Sequence, residues 1–178
     1  LKVIRLFKVN CATNSVLFLH VMIDSFGDFG FAIQRVQTDC GKEFYNDAFQ
    51  DELREHHIKY RPIPPASPHL NGKVERCQKT DKHEFYATLD LKDRSIDLDH
   101  KLMNWQDFYN YQRPHSSLSG KTPHEMLLEV LPKTPSPWKV FGDYLQNPEP
   151  NKYLELEKYK KRNPIAAKYL ESQMSHMC

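Results

Sequence analysis

Residues 31–44 read FAIQRVQTDCGKEF, a short, largely apolar stretch that ends in an acid and a glycine turn. Phe31 to Thr38 has the composition of a β-strand, and Asp39 follows at its carboxyl end. In an α/β sheet, side chains at that end of a strand point into the crevice where ligands bind. The ordinary alternative is that Asp39 is a turn residue before Gly41. Both interpretations are open at this point.

A second acid, Glu75, stands in a comparable place farther along the chain. It follows the proline-rich residues 62–72, which can hold no helix, and it lies in the first turn of a helix predicted over about Lys73 to Thr88. A helix N-terminus favours a carboxylate, so a first-turn acid with no further role is the alternative. Two such carboxylates can hold Mg²⁺ or Mn²⁺, which take carboxylate and water ligands. Asp39 and Glu75 are therefore a candidate divalent-metal site.

Strands and helices alternate outward from these two segments. The periodicity predicts strands over Lys2–Val9, Phe31–Thr38 and Ile58–Ile63. It predicts one helix over Asn14–Phe26 and a second from Asn46 or Asp47 to His56, with Ala48, Phe49 and Leu53 facing inward. Two more helices are expected, one capped by Asp97 or Asp99 and one that opens with a capping box at Thr122–Glu125. This order favours an α/β fold with some parallel strand pairing.

Composition sets wide limits on function. The 178 residues are 39% hydrophobic and 27% charged, which is typical of a globular chain. The net charge of +2, from 25 basic and 23 acidic residues, neither indicates nor excludes a nucleic-acid partner. The four cysteines form no Cys-x-x-Cys pair and are expected to be reduced, as in the cytosol. The longest apolar run, residues 16–23, is too short to cross a membrane.

The residues around both acids resemble motifs of bacterial insertion-sequence transposases and retroviral-type integrases. Residues 37–44 (QTDCGKEF) are similar to the motif of the second catalytic aspartate, and residues 67–76 (SPHLNGKVER) to that of the catalytic glutamate. The 35 residues between Asp39 and Glu75 match the spacing of this superfamily. The resemblance covers about residues 1–130, through Trp105–Tyr111, Arg113–His115 and Gly120–Pro123.

This resemblance implies a ribonuclease-H-like fold, with Asp39 as the second aspartate and Glu75 as the glutamate. It implies two Mg²⁺ or Mn²⁺ ions that assist phosphodiester cleavage and strand transfer. The partners it implies are DNA, as transposon ends and target, and further copies of the protein. A cytoplasmic, nucleoid-associated location without a membrane anchor is the matching expectation.

Polar and basic residues near Glu75 are the candidate DNA contacts. Phosphate contacts of this kind supply affinity rather than sequence choice, and the alternative is an ordinary solvated helix face. The residues are Arg61, His69, Asn71, Lys73, Arg76 and Lys79.

Two departures from the family pattern affect the expected activity. The first aspartate would lie on a strand before residue 1, and Asp24 and Asp28 are poor substitutes because both are close to Asp39 in sequence. Cys40 stands where the family usually has Asn. We therefore expect residues 1–131 to form a catalytic core incomplete at its N-terminus, with little activity alone. Residues 132–178 are expected to be a proline-containing linker and a charged helical tail. The alternatives are a non-catalytic DNA-binding or inhibitory fragment, or a relic without function.

Overall fold

The computed structural model describes residues 1–64 and 72–147, and it has six α-helices and two short strands in those ranges. The helices are α1 (Ala12–Gly27), α2 (Asp47–Glu55), α3 (Gly72–Thr80), α4 (Leu98–Asp107), α5 (Pro123–Val130) and α6 (Pro137–Gln146). A π-helical turn follows α3 at Asp81–Phe85 and another follows α4 at Phe108–Gln112. The strands are β1 (Arg35–Thr38) and β2 (Lys59–Pro62).

The two strands pair in parallel, with Arg35 opposite Lys59 and Thr38 opposite Pro62. Parallel pairing requires a crossover, and α2 supplies it between β1 and β2. The carboxyl ends of both strands therefore lie at one edge of the sheet. A mixed helix and strand chain with a small parallel sheet confirms the α/β class predicted from the sequence.

The described chain forms two compact units. Among the described residues, the first comprises Leu1–Asn10, Leu17–Ala32 and Lys73–Pro137, and the second comprises Cys11–Val16, residues 33–64, Gly72 and residues 138–147.

The core of the first unit lies between the end of the α3 segment and α4. Phe85, Leu102 and Trp105 are buried there, and the rings of Phe85 and Trp105 stack with centroids 5.6 Å apart. Leu98 and Tyr109 pack against this cluster, as the helical spacing of α4 predicts. Asp97 caps α4 by accepting the His100 N–H at 3.0 Å, which is one of the two predicted caps.

The predicted strand over Lys2–Val9 is wrong, because those residues adopt no β-structure. Amide side chains of the α4 segment take the place of a neighbouring strand. The Asn110 side chain accepts the Lys2 N–H at 2.8 Å and donates to the Lys2 carbonyl at 2.7 Å, and Gln106 accepts the Ile4 N–H at 2.7 Å. The alternating pattern is present in the sequence. The backbone groups of Lys2 and Ile4, however, pair with side chains about a hundred residues away rather than with a second strand.

Buried side chains of α2 form much of the core of the second unit. Asn46 caps this helix by accepting the Phe49 N–H at 2.9 Å, as predicted, and Phe49 and Leu53 are buried. Ala48 was also expected to face inward, which is wrong, because it is exposed and Gln50 is buried instead. Positions 49, 50 and 53 fall within about 100° of one another on a helix with 3.6 residues per turn, whereas position 48 lies about 140° from position 53 and about 160° from position 50.

Strand β1 is shorter than the predicted Phe31–Thr38. It begins at Arg35, and the ring of Phe31 instead stacks on Phe26 at the end of α1, with centroids 5.3 Å apart. Helix α1 confirms the predicted helix over 14–26, and a turn follows it with Gly30 at φ 79. A left-handed φ of this kind favours glycine.

The segment expected to be a linker contains helix α6, whose Tyr144 and Phe141 rings contact His57 of the same unit. The remainder of the expected tail, residues 148–178, lies outside the described residues. Across residues 1–64 and 72–147, no helix combines the length and apolar character that a membrane crossing needs.

Helix α5 opens with the predicted capping box. The Thr122 hydroxyl accepts the Glu125 N–H at 3.2 Å, and the Glu125 carboxylate accepts the Thr122 N–H at 2.8 Å. This second bond is the leading cause that lowers the pKa of Glu125 below its usual value. Both bonds satisfy backbone N–H groups that the helix itself cannot.

Thr122→Ala is expected to lower the free energy of unfolding by about 1 kcal/mol, because the Glu125 N–H loses its acceptor next to a buried residue. Urea denaturation followed by circular dichroism measures this change. Thr122→Ser is the control, since serine keeps the acceptor oxygen. Equal destabilisation by alanine and serine would contradict the capping role.

Candidate functional site

Asp39 lies directly after β1, at the carboxyl edge of the parallel sheet, and its side chain is exposed. One carboxylate oxygen accepts the Gly41 N–H at 3.1 Å, which begins the turn that leads to α2. The turn-residue interpretation is therefore correct, because Asp39 bonds within the turn. A carboxylate offers about four acceptor positions, so this bond leaves the others available to a cation.

The residues that flank Asp39 tie the end of β1 to β2. The Cys40 thiol donates to the Ile63 carbonyl at 3.2 Å, and the hydroxyls of Thr38 and Tyr60 lie 3.0 Å apart. Burial, and to a smaller extent the Asp39 charge, raises the pKa of Cys40 to about 11. The thiol is therefore protonated at neutral pH and acts as a structural donor, which explains how cysteine is accommodated where the family usually has Asn.

Glu75 lies in the first turn of α3, as predicted, and its side chain is exposed. Helix α3 buries none of its side chains, and only Cys77 and Thr80 are half-buried. The helix N-terminus stabilises the charged form of a first-turn carboxylate. Glu75 is thus exposed to solvent, where an ion can reach it.

Three predicted DNA contacts lie on the same helix as Glu75. Lys73, Arg76 and Lys79 are all exposed on α3, and Arg76 and Lys79 are neighbours on its surface because they are three positions apart. Arg61 is exposed on β2, opposite Gln37 in the sheet. His69 and Asn71 lie outside the described residues. The structure thus brings three candidate cations and one candidate acid together on one solvent-facing helix.

The two candidate acids belong to different units, Asp39 to the second and Glu75 to the first. Their side chains are exposed oxygen donors, and such donors suit Mg²⁺ and Mn²⁺ rather than softer metals. The donor chemistry therefore fits the ions that the sequence resemblance implies. That the two acids bind a common ion stays a prediction.

The sequence leaves two roles open for the Arg113-Pro114-His115 turn, a DNA contact or a structural one. The Arg113 guanidinium contacts both oxygens of Glu84, at 2.6 and 2.5 Å, and this pair is the leading cause that lowers the pKa of Glu84 and raises that of Arg113. His115 packs edge-on against Tyr109, and burial lowers its pKa. These contacts favour the structural role, because the turn links the π-helical turn after α3 to the one after α4.

A group of residues that the sequence does not reveal joins Lys2 to the two π-helical turns. The Lys2 ammonium pairs with Asp81, whose carboxylate also accepts the Trp105 indole N–H at 2.8 Å. The same ammonium lies 4.1 Å from the Tyr109 ring centroid. Nothing in the local sequence signals this group, because Lys2 and Tyr109 are 107 positions apart.

Comparison with known proteins shows which class of protein part of this chain resembles. The family described as "Integrase core domain" matches residues 56–123, a range that contains β2, α3 with Glu75, and α4. The resemblance to an insertion-sequence transposase or integrase catalytic core is therefore confirmed.

Two relatives agree with that class. The chain is 33% identical over 115 residues to "Putative integrase ORF3" of Spiroplasma virus SpV1-C74, which covers 56% of this chain and 30% of that protein. It is 32% identical over 94 residues to the "Insertion element IS476 uncharacterized 39.2 kDa protein" of Xanthomonas euvesicatoria, covering 49% of this chain and 25% of that protein. The chain thus spans less than a third of the length of either relative.

Proposed function

We propose that this chain contributes part of a ribonuclease-H-like catalytic core that acts on DNA in integration or transposition. The observation that carries the proposal is the exposed helix α3, on which Glu75 lies among Lys73, Arg76 and Lys79 inside the stretch that matches the integrase family. An acid that binds metal and cations that bind phosphate are the two kinds of group that such a reaction requires.

In this proposal α3 lies against the DNA backbone. Its three exposed cations neutralise phosphates, and Arg61, His69 and Asn71 extend the contact. Lysine and arginine contacts to phosphate position DNA without reading its sequence. Transposon ends and target DNA are therefore both accepted by this surface, and sequence choice belongs to other contacts.

Asp39 and Glu75 are the proposed ligands of divalent ions. When bound, Mg²⁺ or Mn²⁺ would activate a water or a 3′-hydroxyl and stabilise the leaving oxygen of the phosphodiester. Asp39 contributes the carboxylate oxygens that its bond to Gly41 leaves available, and that bond fixes the direction of the side chain. Glu75 contributes an exposed carboxylate in the first turn of α3.

Combined replacement Arg76→Ala and Lys79→Ala is expected to weaken binding to duplex DNA and to make it less salt-dependent. Each lost phosphate contact reduces the slope of log K against log salt by about 0.9, so the double variant should lose about 1.8. Fluorescence anisotropy with a labelled duplex over a salt series measures the slope.

The matched control is Lys92→Ala with Lys133→Ala, which removes the same charge from exposed positions of the same unit outside α3. Equal loss of slope in both double variants would mean that the net charge, rather than α3, binds DNA. Absence of binding by the unaltered chain at low salt would remove the proposed function.

A further inference from the structure

Asp81 stands at the junction between α3 and the π-helical turn that continues it. Its carboxylate accepts the Trp105 indole N–H at 2.8 Å and pairs with the Lys2 ammonium. Trp105 belongs to the buried cluster of the first unit. Asp81 is thus the residue through which the α3 segment is bonded both to α4 and to the N-terminal residues.

Lys2 is held in place independently of this ion pair. Its side chain is only 7% exposed, its backbone N–H and carbonyl both bond to the Asn110 side chain, and its ammonium lies over the Tyr109 ring. Little side-chain entropy remains to be lost when the ion pair forms. A partly buried and pre-positioned pair of this kind is screened less than a surface pair, and removal of Asp81 leaves the charge of the buried Lys2 uncompensated.

Helix α3 has few other means of holding its direction. It buries none of its side chains, and the contact of its Cys77 thiol with the Tyr109 hydroxyl is long, at 4.0 Å. The π-helical turn after it is an irregular form, and such turns interrupt the regular α-helical ladder. A bond at the start of that turn therefore controls how the preceding helix is oriented.

We propose that Asp81 is a positioning residue, which fixes the orientation of α3 and so of Glu75 and the cations beside it. The inference rests on the proposed function of α3 in binding DNA and metal. Glu75 lies six positions before Asp81, about 9 Å along a helix axis. Because of that distance, a small change in the direction of the helix axis at Asp81 moves the Glu75 carboxylate relative to the cations and the DNA that it is proposed to bind.

Asp81→Asn tests the proposal with minimal change of shape, because asparagine keeps an acceptor oxygen but removes the charge that compensates Lys2. The matched control is Asp107→Asn, an exposed acid on α4 of the same unit. Both variants add the same positive charge to the chain. Bulk electrostatics alone would therefore strengthen DNA binding equally in both.

We expect the two variants to differ in the direction of their effect. Asp81→Asn should weaken DNA binding about three- to tenfold and accelerate amide hydrogen exchange across residues 72–80 by a similar factor. Asp107→Asn should bind DNA as tightly as the unaltered chain or more tightly, with unchanged exchange. Adding Lys2→Met to Asp81→Asn should restore part of the protection, since the unpaired buried charge is gone.

Hydrogen exchange separates failure of this inference from failure of the proposed function. If the unaltered chain does not bind DNA, the proposed function fails, and exchange in α3 still decides whether Asp81 holds that helix. Faster exchange with unchanged DNA affinity would overturn the positioning role and leave a stabilising one. Identical behaviour of Asp81→Asn and Asp107→Asn in both measurements would overturn the inference entirely. If Asp81→Asn does not fold, the double variant with Lys2→Met is compared in its place.

Discussion

Trp105→Ala is expected to lower the free energy of unfolding by about 3–5 kcal/mol, the range for truncation of a large buried aromatic residue. Trp105 is 7% exposed and packs against Phe85, Phe108 and Tyr109. Its indole N–H also bonds to Asp81. The substitution therefore opens a cavity in the core of the first unit and leaves a half-buried carboxylate with one donor fewer.

Trp138→Ala is the matched control, because the chain has two tryptophans and Trp138 is 83% exposed. That substitution should change the free energy of unfolding by no more than about 0.5 kcal/mol. Urea denaturation followed by far-ultraviolet circular dichroism compares the two variants on the same scale. Similar losses for both would mean that the core of the first unit does not depend on the stacking of Phe85 and Trp105.

Neutralising either proposed metal ligand should reduce Mn²⁺ affinity by at least about a hundredfold, since loss of an outer-shell partner alone costs about 10–100-fold. The variants are Asp39→Asn and Glu75→Gln, which keep side-chain size and remove the charge. Equilibrium binding is followed by the relaxation of water protons in a Mn²⁺ titration. This measurement needs no catalytic turnover, so it tests the site apart from activity.

The double variant tells a shared site from two separate ones. If Asp39 and Glu75 bind a common ion, each single change has nearly the full effect and the second adds little; independent sites would give additive losses. Glu55→Gln, an exposed acid at the end of α2, is the control for loss of charge alone. Unchanged affinity in both single variants would contradict the proposed ligands.

Local chemistry explains why the helices could be predicted so closely. Asn46, Asp97 and the Thr122–Glu125 box cap their helices as predicted, because a capping side chain bonds to backbone groups two or three residues away. The apolar spacing that places Leu102 and Trp105 inward is equally local. Interactions within one or two helical turns depend only on neighbouring residues, which the sequence displays directly.

Residues 2–9 show where local reasoning fails. Their alternation is typical of a strand, but a strand exists only if another backbone pairs with it, and here Asn110 and Gln106 bind the backbone of Lys2 and Ile4 instead. Which partner the backbone of residues 2–9 finds depends on side chains that lie more than a hundred positions away in the sequence, at separations of 108 and 102. Separations of 79 and 29 residues likewise hid the pairing of Lys2 with Asp81 and of Arg113 with Glu84.

The amino-acid sequence by itself determined the α/β class, the helix caps and the motifs around Asp39 and Glu75 that indicate an integrase-type core. Only the tertiary structure decided that Glu75 shares an exposed helix with three cations, that Cys40 serves as a half-buried donor to Ile63, and that Asp81 joins this helix to Trp105 and Lys2. The physical reason is the separation along the chain between the groups that interact. Caps and periodicity act between neighbours in the chain, whereas burial and ion pairing depend on groups that only folding brings into contact.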